Sequence, residues 1–283
     1  MRRKFLAVEW GHHALELNTR HGNAQTPATM SEVSTAEFVS RPDVHLDPRV
    51  AANYDASVAD RFSAASIDPA VALLAEFAGG GTAVEFAIGT GRLALPLARA
   101  GVAVMGIDLS EPMVAELLKK QAAEAIAVTI GDMTTTRVCD DATLVYLVFN
   151  TIQNLRTQRL QTACFRNAAA HLAPGGRFVI ENMMPRLERL SPGERFVPFD
   201  VSPTHLGFDE YADRSEQILI SHHYFITGDR VRRIAGAFRY VWPSELDLMA
   251  ELAGMSLEGR FADWTRAPFS SDSTSHVSVY RKP

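Results

Sequence analysis

The sequence predicts an α/β fold: a doubly wound sheet of mostly parallel strands with helices on both faces. Three observations carry this. From about residue 80, short apolar runs alternate with stretches of helical character. The runs are continuous rather than strictly alternating, as strands covered on both faces require. Glycines or acids stand where each of the first three runs ends. Such β-α-β alternation builds a parallel sheet, because parallel strands need a crossover between them.

Residues 82–88 form the first strand and run into glycines. Leu93-Ala94-Leu95-Pro96-Leu97-Ala98 reads as a helix closed by Gly101. The second strand, 102–107, ends in Asp108. Ser110 then stands as a helix N-cap, with Glu111 and Pro112 in the first turn, where both are favoured. Strands follow at 125–130, 143–149 and 177–180, and a helix over about 156–172 stops at Pro174-Gly175-Gly176. After Glu181 the pattern changes. A Pro-, Arg- and Glu-rich connection leads to strand-like runs at 217–227 and 230–241 about Gly228-Asp229, an antiparallel hairpin. Residues 243–254 form an amphipathic helix with Leu246, Met249 and Leu252 on one face, and two strands at 257–264 and 276–281 close the chain.

This gives four expected regions: an irregular extension or loose lid over 1–45, a ligand-binding core over 46–183, a β-rich insertion over 184–242, and closing elements over 243–283. Met30 is an alternative start. With a net charge of −5, a generally basic nucleic-acid-binding surface is not expected. No apolar run approaches the ~18 residues that span a bilayer. The four apolar residues between Lys4 and Glu9 are too few for a signal peptide. A soluble, cytoplasmic protein is expected. Cys139 and Cys164 lack metal-ligand spacing, so reduced thiols and no metal site are expected.

The chemistry is signalled at Val84-Glu85-Phe86-Ala87-Ile88-Gly89-Thr90-Gly91-Arg92. Glycines after a first strand allow a tight turn and close approach of a nucleotide-like ligand. Asp108 ends the next strand, placed for ribose hydroxyls. Gly89 to Ala94 also fits the dinucleotide pattern G-x-G-x-x-G/A, with Asp108 at the spacing of an NAD site. Glu85 argues otherwise, since a dinucleotide has no use for a carboxylate there, whereas a cofactor with an α-ammonium does. Gly131-Asp132-Met133 ends the third strand with a carboxylate for an adenine amino group and a thioether to pack on its ring.

Together with His171-Leu172-Ala173-Pro174-Gly175-Gly176 ahead of the fifth strand, this set resembles the class I, Rossmann-like methyltransferases that use S-adenosylmethionine (SAM). The resemblance covers about residues 54–181. It implies a seven-stranded sheet with order beginning 3-2-1-4-5, an antiparallel last strand, and a hairpin lid inserted over the acceptor site. It implies that Glu85, Ala87, Gly89 and Gly91 bind the methionine end and that Asp108 and Leu109 hold the ribose. Asp132, Met133 and Met113 then frame the adenine, and Val148 passes under the sulfonium. Ala87 departs from the family, which often has its first glycine there. Asn53-Tyr54-Asp55 resembles an N-terminal Tyr-Asp of small-molecule members, which implies that Tyr54 closes over the cofactor. In architecture the hairpin and Tyr54 resemble sugar N-methyltransferases of antibiotic pathways.

For the acceptor, Asn150, Gln153 and Asn154 follow the fourth strand. Alternation sends His222 and His223 to opposite hairpin faces. His223 is the candidate base; His222 and Arg239 are candidate binding residues, and Arg230, Arg232 and Arg233 read as a solvated basic face. The function expected is methyl transfer from SAM to an O or N atom of a small molecule, mainly by proximity and orientation. An NAD-dependent oxidoreductase and a non-catalytic SAM-binding protein are the alternatives. A homodimer through the hairpin edge is the competing use of the insertion.

Overall fold

The computed structural model describes residues 46–120 and 126–283. The extension expected over residues 1–45 lies outside them. In chain order the elements are α1 (Pro48–Ser57), α2 (Ala64–Ala78), β1 (Thr82–Phe86), α3 (Ala94–Arg99), β2 (Ala103–Asp108), α4 (Glu111–Leu118), β3 (Ala127–Ile130) and β4 (Ala142–Leu147). Then come α5 (Gln158–His171), β5 (Leu172–Met183), β6 (Phe196–Val201), β7 (His205–Asp213), β8 (Ile218–Thr227), β9 (Arg230–Arg239), α6 (Pro243–Leu252), β10 (Ser256–Phe261) and β11 (Ser275–Arg281).

Seven strands form the main sheet in the order β3-β2-β1-β4-β5-β11-β10. β1 pairs in parallel with β2 and β4, and β4 with β5; β11 runs antiparallel to both β5 and β10. The expected order and the antiparallel last strand are both present. Leu144, Val145, Tyr146 and Leu147 of β4 are all fully buried, because each face of the sheet carries its own core. One core joins Leu73, Leu74, Leu97, Leu117 and Tyr146; the other joins Phe86, Leu147, Phe165, Phe178 and Tyr280. Burying a side chain of this size stabilises by about 1.5–3 kcal/mol, which explains why the central strands are apolar throughout. Ser110 caps α4 as expected, its hydroxyl accepting from Met113 N–H at 3.3 Å. Lys282 donates to the carbonyls of Ala169 (2.9 Å) and Leu172 (2.6 Å) at the end of α5, the place where a cation is favoured.

Two details of the expectation change. In α6, Leu246 and Met249 are buried, but Leu252 is 64% exposed and Ala250 takes its place. Leu252 is six residues from Leu246, about two-thirds of a turn round the helix, so the two cannot share a face. The hairpin is also larger than expected. β8 and β9 pair from Ile218↔Arg239 to Thr227↔Arg230 about the Gly228-Asp229 turn, but they belong to a four-stranded antiparallel sheet, β6-β7-β8-β9. β6 tolerates Pro198 because it is an edge strand and need not donate on its open side.

Candidate functional site

The carboxyl ends of β1, β2, β3 and β4 surround a cavity of about 570 Å³. At the end of β1 the chain turns sharply: Ala87 (φ 53°), Gly89 (φ 55°) and Gly91 (φ 79°) all take left-handed backbone. Asp108 stabilises this turn. One carboxylate oxygen accepts from Gly89 N–H at 2.6 Å, the other from Ser110 N–H at 2.7 Å. The acid at the end of β2 thus ties the first turn to the start of α4 while also lining the cavity.

Glu85 lies deeper. It is 3% exposed, and the Tyr146 hydroxyl donates to it at 2.9 Å from the neighbouring strand. Burial, opposed by the Tyr146 hydrogen bond and by Arg92, pushes its pKa up to about 8. A carboxyl buried this way calls for a cation. Asp132 caps its own turn, accepting from Thr134 N–H at 2.7 Å. Apolar walls come from Ile107, Met113, Met133 and Val148. A buried acid, a carboxylate beside glycine backbone and an apolar slot together fit a zwitterionic nucleoside cofactor.

Of the residues singled out from sequence, Tyr54, Glu85, Ala87, Gly89, Asp108, Leu109, Met113, Asp132, Met133, Val148 and Asn154 line the cavity. Gly91 does not. A Cβ there would run into Leu117 and Leu95, so this glycine serves the packing of α3 and α4 against the turn. Asn150 is also absent from the lining: its side-chain carbonyl accepts from Met183 N–H at 2.6 Å. Gln153 is buried and donates to Asn182 at 2.9 Å.

None of the three insertion candidates lines the cavity. His223 bonds to His205 at 3.1 Å and lies 3.4 Å from the Ser221 hydroxyl, and burial lowers its pKa. His222 pairs with Glu210 at 3.0 Å and accepts from Arg233 at 3.2 Å. The two histidines do occupy opposite faces. Arg239 is buried and donates to Gln161, Gln217 (2.6 Å) and Glu245 (2.7 Å). All three are engaged by side chains within the insertion or at its base.

The contacts that hold the end of β4 had no sequence signal. After β4, Phe149 and Asn150 both have positive φ (58° and 63°), a costly backbone for residues other than glycine. Glu181 of β5 holds it: its carboxylate accepts from Phe149 N–H at 2.8 Å and from the Trp264 indole at 2.9 Å. The Phe149 ring reaches the cavity wall, with the guanidinium groups of Arg92 and Arg61 at 5.2 and 5.6 Å from its centre. Among the described residues, no cluster of three or more His, Cys, Asp or Glu side chains is arranged to hold a metal, and no helix is long and apolar enough to cross a membrane.

Residues 83–176 match the model of a methyltransferase domain. Among solved structures, the CcbJ methyltransferase from Streptomyces caelestis is similar at 34% identity, with a TM-score of 0.69 over 76% of this chain and 94% of that one. The SAM-bound amino pentose methyltransferase CalS10 from Micromonospora echinaspora shares the fold at 19% identity, with a TM-score of 0.64 over 81% of this chain and 96% of that one. The cypemycin N-terminal methyltransferase of a Streptomyces species is 25% identical over 207 residues, 72% of this chain and 84% of that protein. The chain belongs to the class I, Rossmann-like SAM-dependent methyltransferases. It is an enzyme that transfers a methyl group, with SAM as its cofactor.

Proposed function

We propose that the acceptor atom is an amine nitrogen. The carrying observation is the character of the cavity wall. Among the described residues its lining contains no histidine, and each of its acids is held against the protein: Glu85 by Tyr146, Asp108 by two backbone N–H groups, Asp132 by its own turn. An alcohol needs a base near the reacting oxygen, whereas an amine loses its proton to solvent before it enters and attacks as the free base. The names of CalS10, an amino pentose methyltransferase, and of the cypemycin N-terminal methyltransferase support the same choice.

SAM supplies a methyl group already activated on a sulfonium. In this reading Glu85 takes the α-ammonium, Asp108 the ribose hydroxyls, and Asp132 with Met133 and Met113 the adenine, while Tyr54 closes over them. Asn154, at the end of the turn after β4, stands on the acceptor side. Holding nitrogen and methyl in line supplies ~7–11 kcal/mol of the barrier. The insertion, residues 184–242, shapes access rather than chemistry. The reading is tested with a panel of matched amines and alcohols at saturating SAM. Methylated amines are expected, with kcat/KM for the acceptor rising tenfold per pH unit up to the amine's own pKa. Methylated alcohols with no amine turnover overturn it.

A further inference from the structure

Tyr54 and Asp55 are neighbours on α1, but they face different things. Tyr54 lines the cavity. Asp55 reaches across to the glycine turn, where one carboxylate oxygen accepts from the Thr90 hydroxyl at 2.6 Å. Its other oxygen pairs with the ammonium of Lys120, just past α4, at 2.5 Å. Lys120 closes the circuit by donating to the Thr90 carbonyl at 2.7 Å, and its ammonium sits 5.4 Å from the centre of the Phe62 ring. Three segments, at residues 55, 90 and 120, are thereby joined at one point.

α1 packs beside α4 but buries little apolar surface there. Asp47 caps it and Pro48 starts it, so it is internally well formed, but Ala51 is its single buried residue. A helix with so little apolar contact opens at low cost unless polar contacts hold it. We propose that Asp55 is a positioning residue: its bonds to Thr90 and Lys120 latch α1 shut, keep Tyr54 over the cavity, and so set how fast SAM and the demethylated product leave. This rests on the reading of the cavity as the cofactor site. Asp55 touches no reacting atom; it acts through Tyr54. Because Asp55 and Lys120 are both partly exposed (40% and 26%), the latch weakens with salt.

The test compares the wild type with Asp55→Ala and Asp55→Asn. Hydrogen exchange over residues 46–62 is first measured in cofactor-free protein. Faster exchange in Asp55→Ala than in the wild type shows that the latch exists; equal exchange overturns it whatever the cavity binds. Stopped-flow displacement then gives the dissociation rate of SAM. Asp55→Ala raises it about tenfold at low salt, the scale of losing a charge-assisted hydrogen bond and a partly exposed pair. Asp55→Asn, which keeps an acceptor for Thr90, falls between. Sodium chloride speeds release from the wild type but not from Asp55→Ala. In a Tyr54→Ala background, Asp55→Ala adds little. Unchanged dissociation, or full additivity with Tyr54→Ala, overturns the gating role. A wild type that binds no SAM overturns the cavity reading and the gating with it, while the exchange result still decides the latch.

Discussion

The main sheet and the inserted sheet use the same polar residue types in opposite ways. Around the carboxyl ends of β1 to β4, acids hold backbone N–H groups at loop tips and leave their remaining surface to a cavity. In the β6–β9 sheet, side chains pair with side chains: His222 with Glu210 and Arg233, His205 with Asp200 and His223, Arg239 with Glu245 and two glutamines. Position at a strand end, more than residue type, separates groups available to a ligand from groups that hold the fold. A histidine in mid-strand has partners on both flanks; an acid past a strand end faces open space.

Four substitutions break or sharpen this contrast. The largest effect is expected at Arg239. Arg239→Ala removes a buried guanidinium and leaves half-buried Glu245 without its cation, and denaturant unfolding should show a loss of about 3 kcal/mol, while SAM affinity, measured on the folded protein, stays near wild type. An intact stability with impaired turnover would return Arg239 to the acceptor site. Next is Asp108→Ala, which removes a cavity acid and also orphans two N–H groups. Calorimetry should show SAM binding weakened by ~1.5–3 kcal/mol, together with a lower melting temperature.

Ala87→Gly works in the other direction. Alanine at φ 53° pays for a left-handed backbone that glycine adopts freely. Relief of that strain, less the greater freedom of glycine in the unfolded chain, should stabilise by about 0.5–1 kcal/mol. No gain in thermal stability would mean that the Ala87 methyl contributes packing of equal size. The smallest effect is expected at His223: His223→Ala should leave both SAM affinity and turnover unchanged, and a tenfold loss of kcat alone would contradict its place outside the cavity.

The core was legible because its strands are buried on both faces, which leaves a continuous apolar signature in residues such as Leu144 to Leu147. β6 was hidden by the reverse condition, since an edge strand with Pro198 and exposed positions has no hydrophobic period to read. β7 is internal, but its buried positions are Gly207, Asp209 and Tyr211, which show no apolar period. Glu85, Asp108 and Asp132 were visible as acids at the ends of apolar runs. The pairings of Phe149 with Glu181, of Asp55 with Thr90 and of Lys120 with Thr90 were not, because they join residues about thirty or more positions apart, which no local spacing encodes. Asn150 and His223 misled for the same reason: the partners that occupy them lie on other strands.

The buried carboxyl of Glu85 couples the charge of the cavity to pH. With a pKa near 8, it holds a proton at neutral pH in the cofactor-free state. Its pKa is raised relative to the unfolded chain, so its contribution favours folding most below about pH 4.5 and is lost as pH climbs through about 8. If Glu85 takes the α-ammonium as proposed, the arriving cation reverses the preference and the proton goes to the buffer. SAM affinity should therefore increase from pH 6 to pH 8, and close to one proton should be released per cofactor bound at pH 7. Binding enthalpies measured in phosphate and in Tris would then differ by nearly the full difference in their ionisation heats. Equal enthalpies in the two buffers would show that Glu85 does not change its protonation state when the cofactor binds.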